Sequence, residues 1–342
     1  MTQGLMPAIQ TRGLRKVYPA STAKTARAAG PPPPGAPPPG APPPRGEVIA
    51  LKALDLDVAE GEFFGLLGPN GAGKTTTIGI LTTRVRATAG TAHVGSQDVT
   101  GNAVKVRQLI GVVPQRPNPD RSLNVLENLI FHAAYFGIPR STAHERAMRL
   151  LEQVDIADKA HAKVDAMSGG QQQRLMIVRA LIHEPRVLFL DEPTVGLDPQ
   201  ARLSLWEILR ALHAEGRTIV MTTHYMEEAD KLCDRIAIID RGELLELDTP
   251  EALKQRAPGG TLIEITLGGP ADSAAGRARL LEGVLRAEAQ GPMLRVFSDR
   301  GGRVISQLIQ AAEEAGANVH NISLTEPSLE TLFVARTGRK LD

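Results

Sequence analysis

Residues 68–76 read GPNGAGKTT, and Gly68, Gly73, Lys74 and Thr75 fall where the pattern G-x-x-x-x-G-K-[ST] requires them. The run before it, FFGLL at 63–67, is short and apolar and predicts a buried strand, while Thr75 to Leu81 predicts the start of a helix. Strand, glycine-rich loop and helix in that order confine this part of the chain to an α/β arrangement with a phosphate cradle at the end of a strand. Gly68, Gly71 and Gly73 let the backbone turn tightly with its N–H groups inward. The loop from Gly68 through Pro69, Asn70 and Ala72 to Thr76 therefore faces negative charge together with the helix N-terminus. Lys74 is then placed to reach the β and γ phosphates of a nucleoside triphosphate, and the Thr75 hydroxyl to bind Mg²⁺.

The loop alone leaves kinases, GTPases and motors open, and later blocks narrow the choice. VLFLDEP at 187–193 is an apolar run followed by Asp191 and Glu192, which predicts a buried parallel strand delivering two carboxylates at its C-terminal edge. An Asp-Glu pair after a strand, taken alone, reads more readily as a helix N-cap, but here Pro193 follows, and then Gly196-Leu197-Asp198-Pro199. Asp191 is the candidate for the Mg²⁺ shell and Glu192 for the general base that polarises the attacking water. In MSGGQQQRL at 167–175, Ser168 predicts a helix cap and Gly169 and Gly170 permit close backbone approach, so that this helix N-terminus forms a second anion site with Gln171 beside it.

Ser168-Gly169-Gly170-Gln171, about 20 residues before the DEP strand, resembles the signature motif of ATP-binding cassette (ABC) ATPases. The resemblance implies a P-loop NTPase fold: a RecA-like parallel sheet core with an antiparallel β subdomain and an α-helical subdomain. It also implies ATP and Mg²⁺ as ligands, and a head-to-tail pair of copies with each ATP between the P-loop of one and the signature of the other. Met167 stands where the family usually has Leu, a volume-conserving exchange. Gln115 in GVVPQ resembles the glutamine that contacts Mg²⁺ and the water. His224 after TIVMTT resembles the switch histidine of the γ phosphate, and Asp198 the aspartate at the dimer seam. On this reading Glu192, His224 and Gln115 form the catalytic set, and Thr75, Gln115 and Asp191 hold Mg²⁺. Tyr18, which ends the predicted strand Ile9 to Tyr18, resembles the aromatic that stacks on adenine, although an edge strand also carries a Tyr for packing.

With 342 residues the chain supports about two domains. The division expected is a nucleotide-binding domain over 1–250 and an accessory domain over 258–342. Its 39 basic and 38 acidic residues leave a net charge of +1, which offers no general electrostatic case for nucleic acid as a partner. No run approaches a membrane span and the first ten residues lack a signal pattern, so the chain is expected in the cytoplasm, at the membrane's inner face if a separate permease carries the spans. The lone cysteine, Cys233, falls in the stretch EEADKLCDRIAIID, which reads as helical, and is expected to be a buried packing residue.

Residues 19–46 depart from the family pattern. They are rich in Ala and Pro, repeat PPPGA and cannot bury a core. The 14 residues from Pro31 to Pro44, extended as polyproline II, would reach roughly 40 Å. Residues 101–182 read as helical, with three-to-four apolar spacing in 123–137 and 145–156, matching the family's helical subdomain. The resemblance implies that the face near Gln115 receives the coupling helices of a membrane partner, and Arg116, Pro117, Leu123 and Tyr135 are candidate lining residues or, equally, subdomain core. Beyond Pro250 the order strand (261–267), helix (275–285), hairpin (285–298), helix (303–315), strand (319–324) predicts a small α+β ferredoxin-like unit, followed by a short helix. The closing EPSLETLFVARTGR resembles the extension of cassettes serving drug-resistance and related export systems with a separately encoded permease. The rival is a cytosolic ABC ATPase acting on ribosomes or DNA. It is disfavoured by one cassette per chain, no sustained heptads and no basic arm.

Overall fold

In the computed structural model, which describes residues 7–19, 46–257 and 260–337, the chain opens with two long strands, β1 (Ile9–Pro19) and β2 (Glu47–Val58). The expected Ala/Pro-rich segment 19–46 lies, apart from its two end residues, outside the described residues. Next come the fully buried β3 (Phe63–Leu67) and the loop to α1 (Lys74–Leu81). β4 (Ala89–Val94), β5 (Gln97–Asp98), α2 (Ala103–Leu109) and β6 (Ile110–Val113) follow, and then α3 (Val125–Ala134), α4 (Arg140–Gln153) and α5 (Gly169–Leu181). The first compact unit, Met1–Leu247, is completed by β7 (Val187–Asp191), α6 (Pro199–Ala214), β8 (Thr218–Thr223), α7 (Met226–Leu232), β9 (Arg235–Asp240) and β10 (Glu243–Asp248).

Among the described residues this unit holds two sheets, an antiparallel one ordered β2-β1-β4-β5 and a second ordered β10-β9-β3-β8-β7-β6. β9, β3, β8, β7 and β6 pair in parallel, and β3, β7 and β8 are buried along their whole length. That double burial is why FFGLL, VLFLD and TIVMTT carry continuous apolar runs instead of alternation. A core of Ile9, Leu54, Leu56, Phe64, Leu66, Ile78, Val94, Phe189, Val220 and Ile239 spans both sheets, so the antiparallel layer is packed onto the parallel one.

Three expectations need correction, two of them in this unit. Residues 101–182 are not uniformly helical, because Ile110–Val113 pairs in parallel with β7 as the edge strand β6. This IGVV run is β-branched and buried, and it is too short for apolar spacing to reveal its state. Likewise EEADKLCDRIAIID is not one helix. α7 stops at Leu232, Cys233 caps it with extended backbone, and RIAIID forms β9. Cys233 is buried, and its thiol is pushed well above its ordinary pKa by desolvation and then by Glu228, Asp234 and Glu62.

The second unit, Asp248–Asp342, begins with α8 (Pro250–Gln255), capped by the Thr249 hydroxyl. It continues with β11 (Thr261–Leu267), α9 (Asp272–Ala278), β12 (Val284–Gln290), β13 (Met293–Ser298), α10 (Ile305–Glu314), β14 (Val319–Thr325) and α11 (Leu329–Thr337). The antiparallel sheet order β12-β13-β11-β14, with α9 and α10 as crossovers, is the ferredoxin-like topology. Alternation is clean in β11, where Ile263, Ile265 and Leu267 point into a core with Ala274, Ala275, Ala278, Leu308 and Ala312. The expected helix 275–285 is displaced. α9 starts earlier and ends at Ala278, since Gly283 at φ 88 turns the chain into β12.

Within the first unit, His132 and His183 lie against Phe136, whose ring stacks on His183 at 3.8 Å and meets His132 edge-on at 5.4 Å. Burial, and then Arg179 and His183, lower the His132 pKa from the ordinary 6.5 to about 4, and burial lowers that of His183 as well. The unfolded chain therefore takes up protons near pH 6.5 that the folded chain refuses, so the stability contributed by neutral His132 is present above pH 6.5 and lost as pH falls toward 4. Denaturant midpoints measured by circular dichroism should fall across that window, and His132→Phe should flatten the fall.

Candidate functional site

Four adjacent parallel strands, β3, β8, β7 and β6, end at one edge of the sheet, and the loops leaving them bring the candidate residues together. β3 leads into the glycine-rich loop, β8 into His224, β7 into Asp191 and Glu192, and β6 toward Gln115.

The loop's shape demands its glycines. Gly73 caps α1 at φ 112, and a Cβ there would lie 2.7 Å from Leu51 Cδ2 and 2.8 Å from the Ala50 carbonyl. At Gly68 a Cβ would come within 2.2 Å of the Ile239 carbonyl. Pro69, Ala72 and Gly73 are buried, whereas Asn70, Gly71 and Thr75 are exposed and Thr76 is half-buried. The Lys74 ammonium is 4% exposed and has its three donors committed: to the carbonyls of Gly68 at 2.6 Å and Pro69 at 3.2 Å, and to Glu192 Oε1 at 3.0 Å. The second Glu192 oxygen accepts from Gln115 Nε2 at 3.0 Å and faces His224 Nδ1 at 3.5 Å. One buried carboxylate thus meets three of the residues read from the sequence.

Glu192 adopts φ 48, a left-handed conformation uncommon for a residue with a side chain. Its N–H is held there by Thr222, through the carbonyl at 3.1 Å and the hydroxyl at 3.0 Å. The same hydroxyl donates to Asp191 Oδ1 at 2.7 Å, and the Thr75 hydroxyl donates to that oxygen at 3.2 Å. Thr222 is a site residue that the motifs missed. The available signal was a pair of hydroxyls, Thr222 and Thr223, closing a buried strand after the apolar run Ile219 to Met221, where each polar atom needs a partner.

Thr75 and Asp191 bring two hard oxygens into one spot, the donor chemistry of Mg²⁺, which keeps most of its shell as water and substrate phosphate. Gln115 engages Glu192 through its nitrogen.

The signature residues stand apart from this cluster. Ser168 caps α5 in a reciprocal box, accepting from the Gln171 N–H at 3.3 Å while the Gln171 side chain accepts from the Ser168 N–H at 3.0 Å. Ser168 and Gly169 are exposed and Gly170 is half-buried. Asp198, also exposed, caps α6 by accepting from the Ala201 N–H at 2.8 Å. Tyr18 is half-buried at the end of β1, paired with Val48, with the Lys16 ammonium 4.7 Å from its ring centre.

A glycine-rich phosphate loop after β3 and paired carboxylates at the end of β7, one strand removed in the same parallel sheet, define a P-loop nucleoside triphosphatase. A family model described as ABC transporter matches residues 51–195, and a second, of an AAA domain, matches 161–230. The chain is 40% identical over 297 residues to the Nod factor export ATP-binding protein I of Ralstonia nicotianae, covering 86% of this chain and 91% of the relative. It is 37% identical over 298 residues to the linearmycin resistance ATP-binding protein LnrL of Bacillus subtilis (86% and 96%), and 40% over 304 residues to the daunorubicin resistance ATP-binding protein DrrA2 of Streptomyces coeruleorubidus (87% and 93%). A dimeric ATP-binding cassette solved in a post-hydrolysis state with ADP and Pi superposes with a TM-score of 0.59 at 26% identity, covering 70% of this chain and 98% of that one. The chain belongs to the ABC transporter ATPases, and it is an ATP-binding and ATP-hydrolysing protein.

Thr222→Val keeps the shape of a fully buried site and removes the hydroxyl shared by Asp191 and Glu192. Steady-state ATPase assays should show kcat lowered by about tenfold or more, a scale set by losing a buried hydrogen bond to a charged group. Thr222→Ser should recover most of the rate.

Proposed function

We propose that this chain is the ATPase subunit of an export system, working as a head-to-tail pair of copies at the cytoplasmic face of a membrane and driving a separately encoded permease. The observation that carries the chemistry is the contact set of Glu192 with Lys74, Gln115 and His224 at the edge of the parallel sheet. In this reading Lys74 and the N–H groups from Gly68 to Thr76 grip the phosphates of ATP, and Tyr18 stacks on the adenine. Thr75 and Asp191 hold Mg²⁺, with Gln115 beside it. When bound there, Mg²⁺ would supply positive charge beside the phosphates of ATP.

On binding ATP, Lys74 exchanges the Glu192 carboxylate for phosphate oxygens, and Glu192 is free to orient and deprotonate the attacking water. His224 and Lys74 stabilise the charge that develops on the γ phosphate, together with Ser168, Gly169, Gly170 and Gln171 of a second copy. Asp198 lies at the seam. The exposure of Ser168, Gly169 and Asp198 supports a partner surface there, as does the dimeric state of the ADP-bound cassette.

Export is supported by the names of the relatives, which concern drug resistance and Nod factor export, and the favoured cargo class is a drug or other hydrophobic compound. The same names disfavour action on ribosomes or DNA. Among the described residues no helix is long and apolar enough to cross a membrane, which supports spans on another polypeptide. For the permease, a groove of about 360 Å³ on α3, lined by Leu123, Ile130, Phe131, Ala134 and Ile138 with Glu127 and Arg140 at its edge, is the favoured landing face. Phe131 in its lining and Tyr135 beside it are 59% and 76% exposed, costly for aromatics without a partner. The domain reading is a nucleotide-binding domain over 1–250 and an accessory domain over 258–342.

Glu192→Gln should slow ATP turnover by roughly 10²- to 10⁴-fold while fluorescent-ATP titration shows binding retained. Turnover at the wild-type rate would remove Glu192 from the base role. Phe131→Asp with Tyr135→Asp should leave ATP binding intact and abolish co-purification with the permease that the wild-type chain pulls down. Undiminished co-purification would move the landing face elsewhere.

A further inference from the structure

Behind the site lies a buried carboxyl that the mechanism above does not use. Glu228, on the first turn of α7, has no exposed surface. Its Oε1 accepts from the Trp206 indole N–H of α6 at 3.2 Å, a bond that is itself buried. The hydroxyls of Thr194 and Thr223 and the guanidinium of Arg202 face the same carboxyl. The two hydroxyls come from the two segments that carry the reacting side chains. Thr194 is two residues beyond Glu192, in the turn that leads to α6, and Thr223 immediately precedes His224.

The pocket is not fully paired. Thr194 Oγ1 faces the carboxyl without a well-formed hydrogen bond, and Glu228 Oε2, Arg202 Nε and His224 Nδ1 are likewise buried without one. Arg202 lies with its guanidinium carbon 4.5 Å from the Tyr225 ring centre, and the Tyr225 ring is 4.2 Å from that of His224. Buried unpaired polar atoms cost free energy, of order 1–3 kcal/mol each in general, and three around one carboxyl are not needed to pack α7 on α6. An apolar residue at 228 would do that with no such cost.

We propose that Glu228 is a positioning residue for ATP hydrolysis. Anchored to α6 by Trp206, its carboxyl fixes the spacing between the turn after Glu192, through Thr194, and the strand end before His224, through Thr223. His224 is thereby kept in register with the Glu192 carboxylate across the space where the γ phosphate and water meet. The inference rests on the roles proposed for Glu192 and His224. It predicts that disturbing the pocket's side chains lowers kcat and spares ATP binding, because the link from Thr223 to the phosphate loop, its carbonyl accepting from the Gly68 N–H at 3.3 Å, is a backbone bond that these side-chain changes leave in place.

The test measures kcat, KM for ATP and melting temperature on the purified full-length protein for Thr194→Val, Glu228→Leu and Glu228→Gln, with Glu192→Gln assayed in parallel. Thr194→Val replaces a buried unpaired hydroxyl by a methyl of the same shape, so the fold is kept or stabilised. Its expected signature is a melting temperature unchanged or raised, kcat down about fivefold or more, and KM within about twofold. Glu228→Leu should lower kcat further at similar KM. Glu228→Gln, which keeps an acceptor for Trp206 and offers a donor to the hydroxyls, should stay within about threefold of wild type. Wild-type kcat in Thr194→Val overturns the proposal, even if Glu228→Leu fails to fold. An equal loss in the Gln and Leu variants, or a loss confined to KM, overturns it too. Fast hydrolysis by Glu192→Gln would instead sink the general-base assignment, so the two failures are told apart.

Discussion

The site depends on how the backbone turns at Glu192. β7 is fully buried and ends in two acids, and burying both would be prohibitive unless each found partners at once. The turn to φ 48 sends the Glu192 side chain toward Lys74, Gln115 and His224, while Asp191 stays in line with the strand and meets Thr75 and Thr222. Thr222, on the neighbouring strand, ties both choices together by holding the Glu192 N–H and the Asp191 carboxylate with one side chain. A left-handed residue costs of order 1 kcal/mol or more, and two hydrogen bonds from a fully buried strand offset it.

Much of this was legible because the chemistry needs rare residue types at fixed spacing. A phosphate loop must be glycine-rich, and Gly73, with Ala50 and Leu51 pressed against it, shows why no other residue serves. Continuous apolar runs announced β3, β7 and β8. What escaped was set by tertiary contacts. IGVV is too short to declare itself a strand until β7 lies beside it, and the break at Cys233 follows from β9 having to enter the sheet beside β3. Thr222 and Glu228 belong to no motif. Their importance comes from which atoms face them, and only the packed strands and helices reveal that.

The anatomy of the first unit also explains why one copy reads as incomplete. The residues on β3, β6, β7 and β8 converge on Glu192. The signature helix α5 presents its capped N-terminus at the exposed Ser168 and Gly169, and makes its capping bonds internally. An anion-seeking helix end that faces solvent stabilises nothing until an anion arrives. We propose that the anion is the γ phosphate held by the other copy. ATP is then the adhesive between two copies, and its hydrolysis releases them. Glu228 fits this scheme as the brace that keeps the hydrolytic half in register.

The most direct test of that scheme is the mass of the Glu192→Gln protein in solution, measured by light scattering on a sizing column with and without Mg-ATP. The account predicts a doubling of mass only with nucleotide, abolished when Ser168→Arg is added, with ATP binding by the single chain preserved. A protein that binds ATP yet keeps the mass of one chain, or that pairs equally well with Ser168→Arg, would contradict it.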